Sequence, residues 1–224
     1  MSEFILGDCM EYLKKYPDDH FDLAIVDPPY GAGFTEGGGC KGWFSKYHQP
    51  FANETRFGNK DSRFEKYKRH GAINWDKAPT KEYFDELFRI SKNQIIWGGN
   101  YFQLPPTRCF LIWRKKTISE NFTMAMAEYA WTSFNDNAKV FEYAPQDKER
   151  FHPTQKPIAL YKWLLSKYAE KGDLILDTHV GSASSLIACE ELGFDYVGFE
   201  IDEEYYSKAK DRLDTFNAQV RMKL

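Results

Sequence analysis

The chain has 224 residues, 42% hydrophobic and 28% charged, with a formal net charge of −3. That balance excludes a disordered chain, gives no bulk basic charge for nucleic acid, and suits one domain with a full hydrophobic core. No apolar run reaches membrane-spanning length and no charged-then-apolar leader opens the chain, so the expectation is a cytoplasmic protein without a membrane partner.

In chain order, Phe4–Leu6 reads as a short strand ended by Gly7-Asp8, and Cys9–Lys15 as a helix with Asp8 as its N-cap. Leu23–Val26 is a continuous apolar run, the mark of a buried parallel strand. Residues 31–74 mix glycine, aromatics and charge without periodicity, a length that points to a functional segment. Lys81–Ile90 carries apolar residues at helical spacing behind Thr80, and Gln94–Trp97 is a strand stopped by Gly98-Gly99. Cys109–Trp113 and Ala125–Phe134 are β-like, and residues 135–151 are polar and mixed in charge, which predicts a loop. Pro157 introduces a helix over Ile158–Ala169. Leu174–Leu176 is a strand ending at Asp177, Ser182–Leu192 a helix, Tyr196–Phe199 a strand ending at Glu200, and Glu203–Phe216 a final helix. Strands and helices alternate at both ends, so the expected fold class is α/β with a mainly parallel central sheet flanked by helices. One domain over residues 1–224 is expected, with 31–74 and about 108–151 as insertions.

The strand at Leu23–Val26 runs into Asp27-Pro28-Pro29-Tyr30. Two consecutive prolines cannot continue a sheet, because each lacks an N–H and has a fixed φ. A carboxylate, a rigid turn and an aromatic ring therefore sit at the carboxyl end of a strand, the edge where open α/β sheets bind ligands. The carboxylate and the Pro28 carbonyl can accept both hydrogens of an amino group on a flat ring, and Tyr30 can stack on that ring. As a bland alternative, the four residues are a strand-ending turn with an exposed tyrosine.

Asp177-Thr-His-Val-Gly-Ser-Ala-Ser-Ser185 also leaves a strand and opens a helix, so small residues and free N–H groups face whatever binds there. Glu200 follows at the spacing of an acid that holds a ribose diol. His152-Pro-Thr-Gln-Lys-Pro157 precedes the helix that leads into the Asp177 strand. The four cysteines, Cys9, Cys40, Cys109 and Cys189, are far apart, which speaks against structural zinc and against a disulfide framework. No metal is expected.

Taken together these motifs resemble the β-group of amino DNA methyltransferases, in the Asp-Pro-Pro-Tyr form seen mostly in N6-adenine enzymes of bacteria and phage. The order, with the catalytic strand first and the cofactor strand last, looks like that group's circularly permuted arrangement. The resemblance implies a Rossmann-like fold dependent on S-adenosylmethionine and methylation of adenine N6 in DNA. It assigns catalysis to Asp27, Pro28, Pro29 and Tyr30. It assigns the cofactor to Asp8, His152, Thr154, Lys156, Asp177, Thr178, His179, Gly181, Ser182, Ala183, Glu200 and Ile201. Within that set Thr154 and Lys156 would donate to the methionine carboxylate, Asp8 would accept from the adenine amino group, and Glu200 would hold the ribose. The cofactor loop departs from the family pattern at Thr178, His179 and Ala183, where proline, phenylalanine and glycine are usual.

The implied partner is double-stranded DNA with a flipped target base, with 31–74 and about 108–151 as the candidate DNA-contacting, target-recognition insertions, and the resemblance leaves room for a homodimer and for a restriction endonuclease in a modification system. Between Lys41 and His70 eight Lys or Arg stand against three acids, interleaved with aromatics. That pattern suits phosphates and bases and makes Lys60, Arg63, Lys66, Lys68 and Arg69 candidate DNA contacts; a solvated basic loop is the plain alternative. Other readings of the chain are an N4-cytosine enzyme, more often with serine at position 27, and methylation of protein glutamine or RNA, more often with asparagine there. A DNA-binding relic without cofactor binding is suggested by His179 and Ala183. A nicotinamide oxidoreductase lacks its dinucleotide fingerprint here.

Overall fold

The computed structural model describes residues 2–31, 77–121, 125–145 and 147–221. The chain forms two compact units, Met1–Pro28 with Lys81–Leu224, and Pro29–Thr80. In the second unit the described residues are 29–31 and 77–80; Gly31 takes a φ of 61°, and a Cβ there would lie 3.0 Å from Ala78.

The larger unit is built on one eight-stranded sheet: β1 (Glu3–Leu6), β2 (Phe21–Val26), β3 (Ser91–Trp97), β4 (Phe110–Lys115), β5 (Ala127–Thr132), β6 (Lys139–Tyr143), β7 (Leu174–Asp177) and β8 (Asp195–Glu200). Their order across the sheet is β1-β8-β7-β2-β3-β5-β4-β6. Pairing is parallel from β1 through β3 and between β4 and β6, and antiparallel on both sides of β5. The expected α/β class with a mainly parallel sheet is therefore the one observed, and β2 from the start of the chain pairs directly with β7 from its end.

The helices are α1 (Met10–Leu13), α2 (Lys81–Ile90), α3 (Ile158–Tyr168), α4 (Ser184–Leu192) and α5 (Glu203–Arg221). They cover both faces. Along β2 the side chains alternate, so Leu23 and Ile25 pack with Leu160, Leu164, Leu186 and Ile187 of α3 and α4. Ala24 and Val26 pack on the other face with Leu13 of α1 and Phe84, Leu87 and Ile90 of α2. Each fully buried leucine or isoleucine in these two layers contributes roughly 1.5–3 kcal/mol. Burial on both faces is why β2 reads as an unbroken apolar run.

The stretch 135–151, expected as a loop, contains β6. Its residues alternate: Phe141 packs on Trp163 at 5.2 Å between centroids, while Val140 is exposed. As the sheet's edge strand it carries Lys139 and Glu142, charges that suit an edge and disguise a strand in sequence. Residues 108–151 thus supply three strands of the sheet. Smaller differences follow from end effects. The first helix is shorter than expected, Pro157 is the extended N-cap of α3, and α5 runs on to Arg221.

Candidate active site

Because β1, β8, β7, β2 and β3 are parallel, their carboxyl ends share one edge of the sheet. Asp8 follows β1, Glu200 ends β8, Asp177 ends β7, Asp27 follows β2 and Trp97 ends β3. Leu6 lies beside Glu200, Asp177 beside Gly198 and Ala24 beside Leu176. The Asp27 and Asp177 turns, at opposite ends of the sequence, therefore leave neighbouring strands.

The turn after β7 is tied by its own atoms. Asp177 is buried, and its carboxylate accepts from the Ser185 hydroxyl and from the His179 amide at 3.0 Å. Burial, with Asp27 and Glu200 nearby adding to it, pushes this carboxyl up to about 7. Thr178 bonds Tyr83 of α2 at 2.7 Å and the His179 ring at 2.8 Å. Burial lowers His179 to about 4 against a small opposing pull from Asp8, so its imidazole is neutral. Gly181 and Ala183 both take left-handed backbone, with φ of 57° and 60°. The Ser182 hydroxyl lies 3.1 Å from that of Ser184, and Arg212 donates to the Ser182 carbonyl at 2.8 Å.

Glu200 closes the same turn from β8. One of its carboxylate oxygens accepts from the Gly181 amide at 2.8 Å and the other from the Asp202 amide at 3.0 Å. Burial nonetheless holds its carboxyl above the ordinary value. Gly198, on the same strand, has no room for a side chain: a Cβ would stand 2.7 Å from Val180 and 3.0 Å from Leu186. Ile201 is exposed just beyond. Asp8 is exposed, and its carboxylate accepts from the Met10 amide at 2.9 Å, a capping contact.

The segment 152–157 arrives over both turns. The His152 ring lies against Gly181, where an added Cβ would come within 3.2 Å of it, and meets Tyr205 edge-on at 4.4 Å. Burial, then Arg150 and Lys156, lower His152 to about 3, so it too is neutral. Thr154 is exposed and bonds His152 Nδ1 at 3.2 Å. Lys156 is buried, with its ammonium on the Asp27 carboxylate and 3.2 Å from Glu128 of β5. It also stands 5.3 Å from the centre of the Trp97 ring. Glu128 in turn meets Lys115 of β4 at 2.6 Å. Burial alone would neutralise Lys156, but Asp27 and Glu128 hold it above the usual lysine value. Burial likewise opposes the Glu128 charge, and Lys156 and Lys115 overcome it.

Pro28 is buried at the end of β2, while Pro29 and half-buried Tyr30 open the second unit. Lys60, Arg63, Lys66, Lys68 and Arg69 lie outside the described residues. Sequence reasoning missed Glu128, Lys115 and Tyr83. A charged residue inside an otherwise apolar run was the available signal for Glu128, in Ala-Glu-Tyr-Ala-Trp131, whereas Lys115 stands in Arg114-Lys115-Lys116 and reads as an ordinary exposed charge. Among the described residues no cluster of three or more His, Cys, Asp or Glu could hold a metal, and no helix is long and apolar enough to cross a membrane.

Known proteins resemble this chain over most of its length. The type II methyltransferase M.HpaI of Haemophilus parainfluenzae is 26% identical over 241 residues, covering 94% of this chain and 74% of its own. Among solved structures, the M1.HpyAVI–SAM complex has a TM-score of 0.57 at 19% identity, covering 95% of this chain and 99% of that one. The cytosine-N4-specific PvuII DNA methyltransferase also has a TM-score of 0.57, at 12% identity over 98% of this chain and 92% of its own. Both structures share the fold. The family model of the N6/N4 methyltransferases, described as DNA methylase, matches residues 21–211, so this chain belongs to that family of DNA methylases.

Proposed function

We propose that this DNA methylase transfers a methyl group to the exocyclic N6 of adenine at a specific sequence in duplex DNA. The observation that carries the reading is the placement of Asp27 and Pro28 on the strand next to the Asp177 turn, so that a base and a cofactor would meet at one sheet edge. The methyl donor is S-adenosylmethionine, the ligand named in complexes of proteins with this fold. The donor and acceptor set of the edge fits it. Asp8, Asp177 and Glu200 offer acceptors for an amino group, an ammonium and a ribose diol, and Thr154 offers a donor for a carboxylate, the Lys156 ammonium being engaged by Asp27 and Glu128. The two Glu200 oxygens each keep a further lone pair beyond the backbone amide they already accept. When bound, the cofactor would supply an electrophilic methyl group on a sulfonium centre, whose sulfur keeps the bonding pair and leaves as a neutral thioether.

The residues divide the remaining work. Thr178, His179, Gly181, Ser182 and Ala183 let the backbone run close to the cofactor; Ile201 gives its ring an apolar contact, and His152 fixes Gly181 from behind. Asp27 and the Pro28 carbonyl accept the two N6 hydrogens, which favours a tetrahedral nitrogen whose lone pair points at the methyl group. Alignment of that kind supplies much of the rate. The nitrogen becomes cationic on transfer and then loses a proton easily, so Asp27 need not take one first. Pro29 stiffens the turn, and Tyr30, next in the chain, is the stacking partner for a base flipped out of the duplex. The aspartate at position 27 is what favours adenine over cytosine N4.

Sequencing of DNA from cells expressing the protein, with detection of both modified bases, tests this. N6-methyladenine in one sequence context is the expected result. N4-methylcytosine would transfer the same chemistry to cytosine. Unmodified DNA together with no binding of labelled S-adenosylmethionine would leave the DNA-binding relic.

A further inference from the structure

We propose that Glu128, backed by Lys115, is a positioning residue for methyl transfer that holds the Lys156 ammonium against Asp27. This rests on the reading of Asp27 as the carboxylate that receives the base. Four charges of alternating sign, Lys115, Glu128, Lys156 and Asp27, come from β4, β5, the segment before α3 and the end of β2. Glu128 uses one oxygen for each lysine: Oε1 lies 2.6 Å from Lys115 and Oε2 lies 3.2 Å from Lys156. Its carboxylate is thereby fixed at both ends and cannot swing away from Lys156.

Burial makes the arrangement consequential. The side chains of Lys156, Lys115 and Asp27 are 2%, 7% and 11% exposed and that of Glu128 24%, so the Lys156 ammonium itself sits out of water and depends on its anions. With Asp27 as its single anion, an ammonium this deep would lose much of the support for its charge. Glu128 supplies the second anion, and the Trp97 face beneath adds a further attraction. A charged, immobile Lys156 fixes the Asp27 carboxylate where it can accept from an amino group; a lysine that has lost its proton would no longer hold it there.

Among the described residues the other titratable groups around this chain of charges are His152, Tyr83, Tyr161 and Asp177, and burial pushes Tyr83 well above its usual range. His152 is already neutral, and Tyr161 is pushed well above its usual range by burial and by Asp177, Asp27 and Glu128. Asp177 titrates near neutrality, but it does so in both proteins compared below, so the difference between them isolates Glu128.

The test is Glu128→Gln, which keeps the shape and an acceptor while removing the charge. Lysines labelled with 13C next to the ammonium are titrated by NMR in the ligand-free protein, Lys156 being identified by its loss in Lys156→Gln. In the wild type the Lys156 signal should stay protonated through the ordinary lysine midpoint of 10.5. In Glu128→Gln the midpoint should fall by about one unit or more, since one of two adjacent anions is gone and burial remains. The alkaline limb of kcat should fall with it, by a larger factor than kcat near neutral pH, and Glu128→Asp should restore part of the limb. An unchanged midpoint overturns the assignment. So does a lowered midpoint with a kcat profile parallel to wild type, because a purely structural role lowers activity equally at every pH. If Glu128→Gln folds poorly, the neutral pair Lys115→Gln/Glu128→Gln is read in the same way. A wild type that methylates no base removes the reading of Asp27 and this role with it; an active wild type with a parallel profile removes this role alone.

Discussion

In the turn after β7, Asp177 is held by neighbours in its own sequence, the His179 amide and the Ser185 hydroxyl, two and eight residues on. In the turn after β2, Asp27 is held by Lys156, 129 residues away, and through it by Glu128 and Lys115. The first carboxylate has neutral partners and little solvent, so burial raises it. The second is matched by a cation at contact distance. Two aspartates at the ends of adjacent strands thus face opposite electrostatic conditions, one eased toward its neutral form by burial and one set against an ammonium. Under the proposed function these conditions suit different tasks: Asp177 shapes the cofactor loop, and Asp27 must present a full negative charge to an amino group.

The largest effect expected is at Asp27. Asp27→Ala should lower methyl transfer by at least about 100-fold, the scale of losing one preorganised polar contact to the reacting centre. Binding of S-adenosylmethionine, measured by calorimetry, should survive. Substantial turnover in this variant would remove the distinction between the two turns, because Asp27 would then have no special need of its charge.

The next effect separates the turns by pH. In the folded chain Asp177 stands at about 7 against an ordinary 3.8, so between those values the folded state keeps a proton that the unfolded chain releases. Stability from this group therefore falls as pH rises through that window and is level above it. His152 and His179, lowered to about 3 and about 4, act in the opposite sense: their stability is full above 6.5 and is lost as pH falls toward their folded values. Asp177→Asn removes the first contribution and leaves the second. Its denaturant stability relative to wild type should rise with pH across the window, by at most roughly 4 kcal/mol at 1.36 kcal/mol per unit. Parallel curves would mean that Asp177 is ionised like any surface carboxylate.

A smaller effect belongs to Glu200. Glu200→Gln retains an acceptor for the Gly181 or Asp202 amide but loses the charge. S-adenosylmethionine affinity should drop by about 1–1.5 kcal/mol, the difference between charge-assisted and neutral hydrogen bonds to the ribose. Unchanged affinity by calorimetry would take Glu200 out of the cofactor site and leave it as a brace between β8 and the turn.

The same contrast explains which parts of the site could be read from sequence. Local devices left local marks. A proline pair ends β2, small residues open α4, and an acid ends β8 at a recognisable spacing, so the residues of the sheet edge were in view before their neighbours were. The alternating strand and helix runs likewise announced the α/β class. Glu128 and Lys115 left no such mark, because their meaning comes from β4 and β5 lying beyond β3 in the sheet order, and that order is set by long-range packing. Lys156 was read for its motif and expected at the cofactor carboxylate; its contact with Asp27 depends on a pairing between distant segments. The edge strand β6 hid for a related reason, since a strand with one unpaired side is selected for charge as much as for apolar alternation.

The smallest effect concerns Ala183, where a methyl group occupies a position with a φ of 60°. Left-handed backbone costs a non-glycine residue roughly 1–2 kcal/mol. Two terms run the other way. Ala183 is 0% exposed within the core beside α4, and its buried methyl contributes about 0.8 kcal/mol. Glycine would also lose about 0.4–1 kcal/mol more conformational entropy on folding. The three nearly cancel, so Ala183→Gly should move stability by less than about 1 kcal/mol in either direction. Ala183→Val should be plainly destabilising, because β-branching aggravates the left-handed strain and the site has no spare volume. A chemical melt of both variants decides the matter. A gain for glycine well beyond 1 kcal/mol would show that strain in the cofactor turn is uncompensated. The turn after β7 would then be the less settled half of the site, reversing the contrast with the ion-paired half at Asp27.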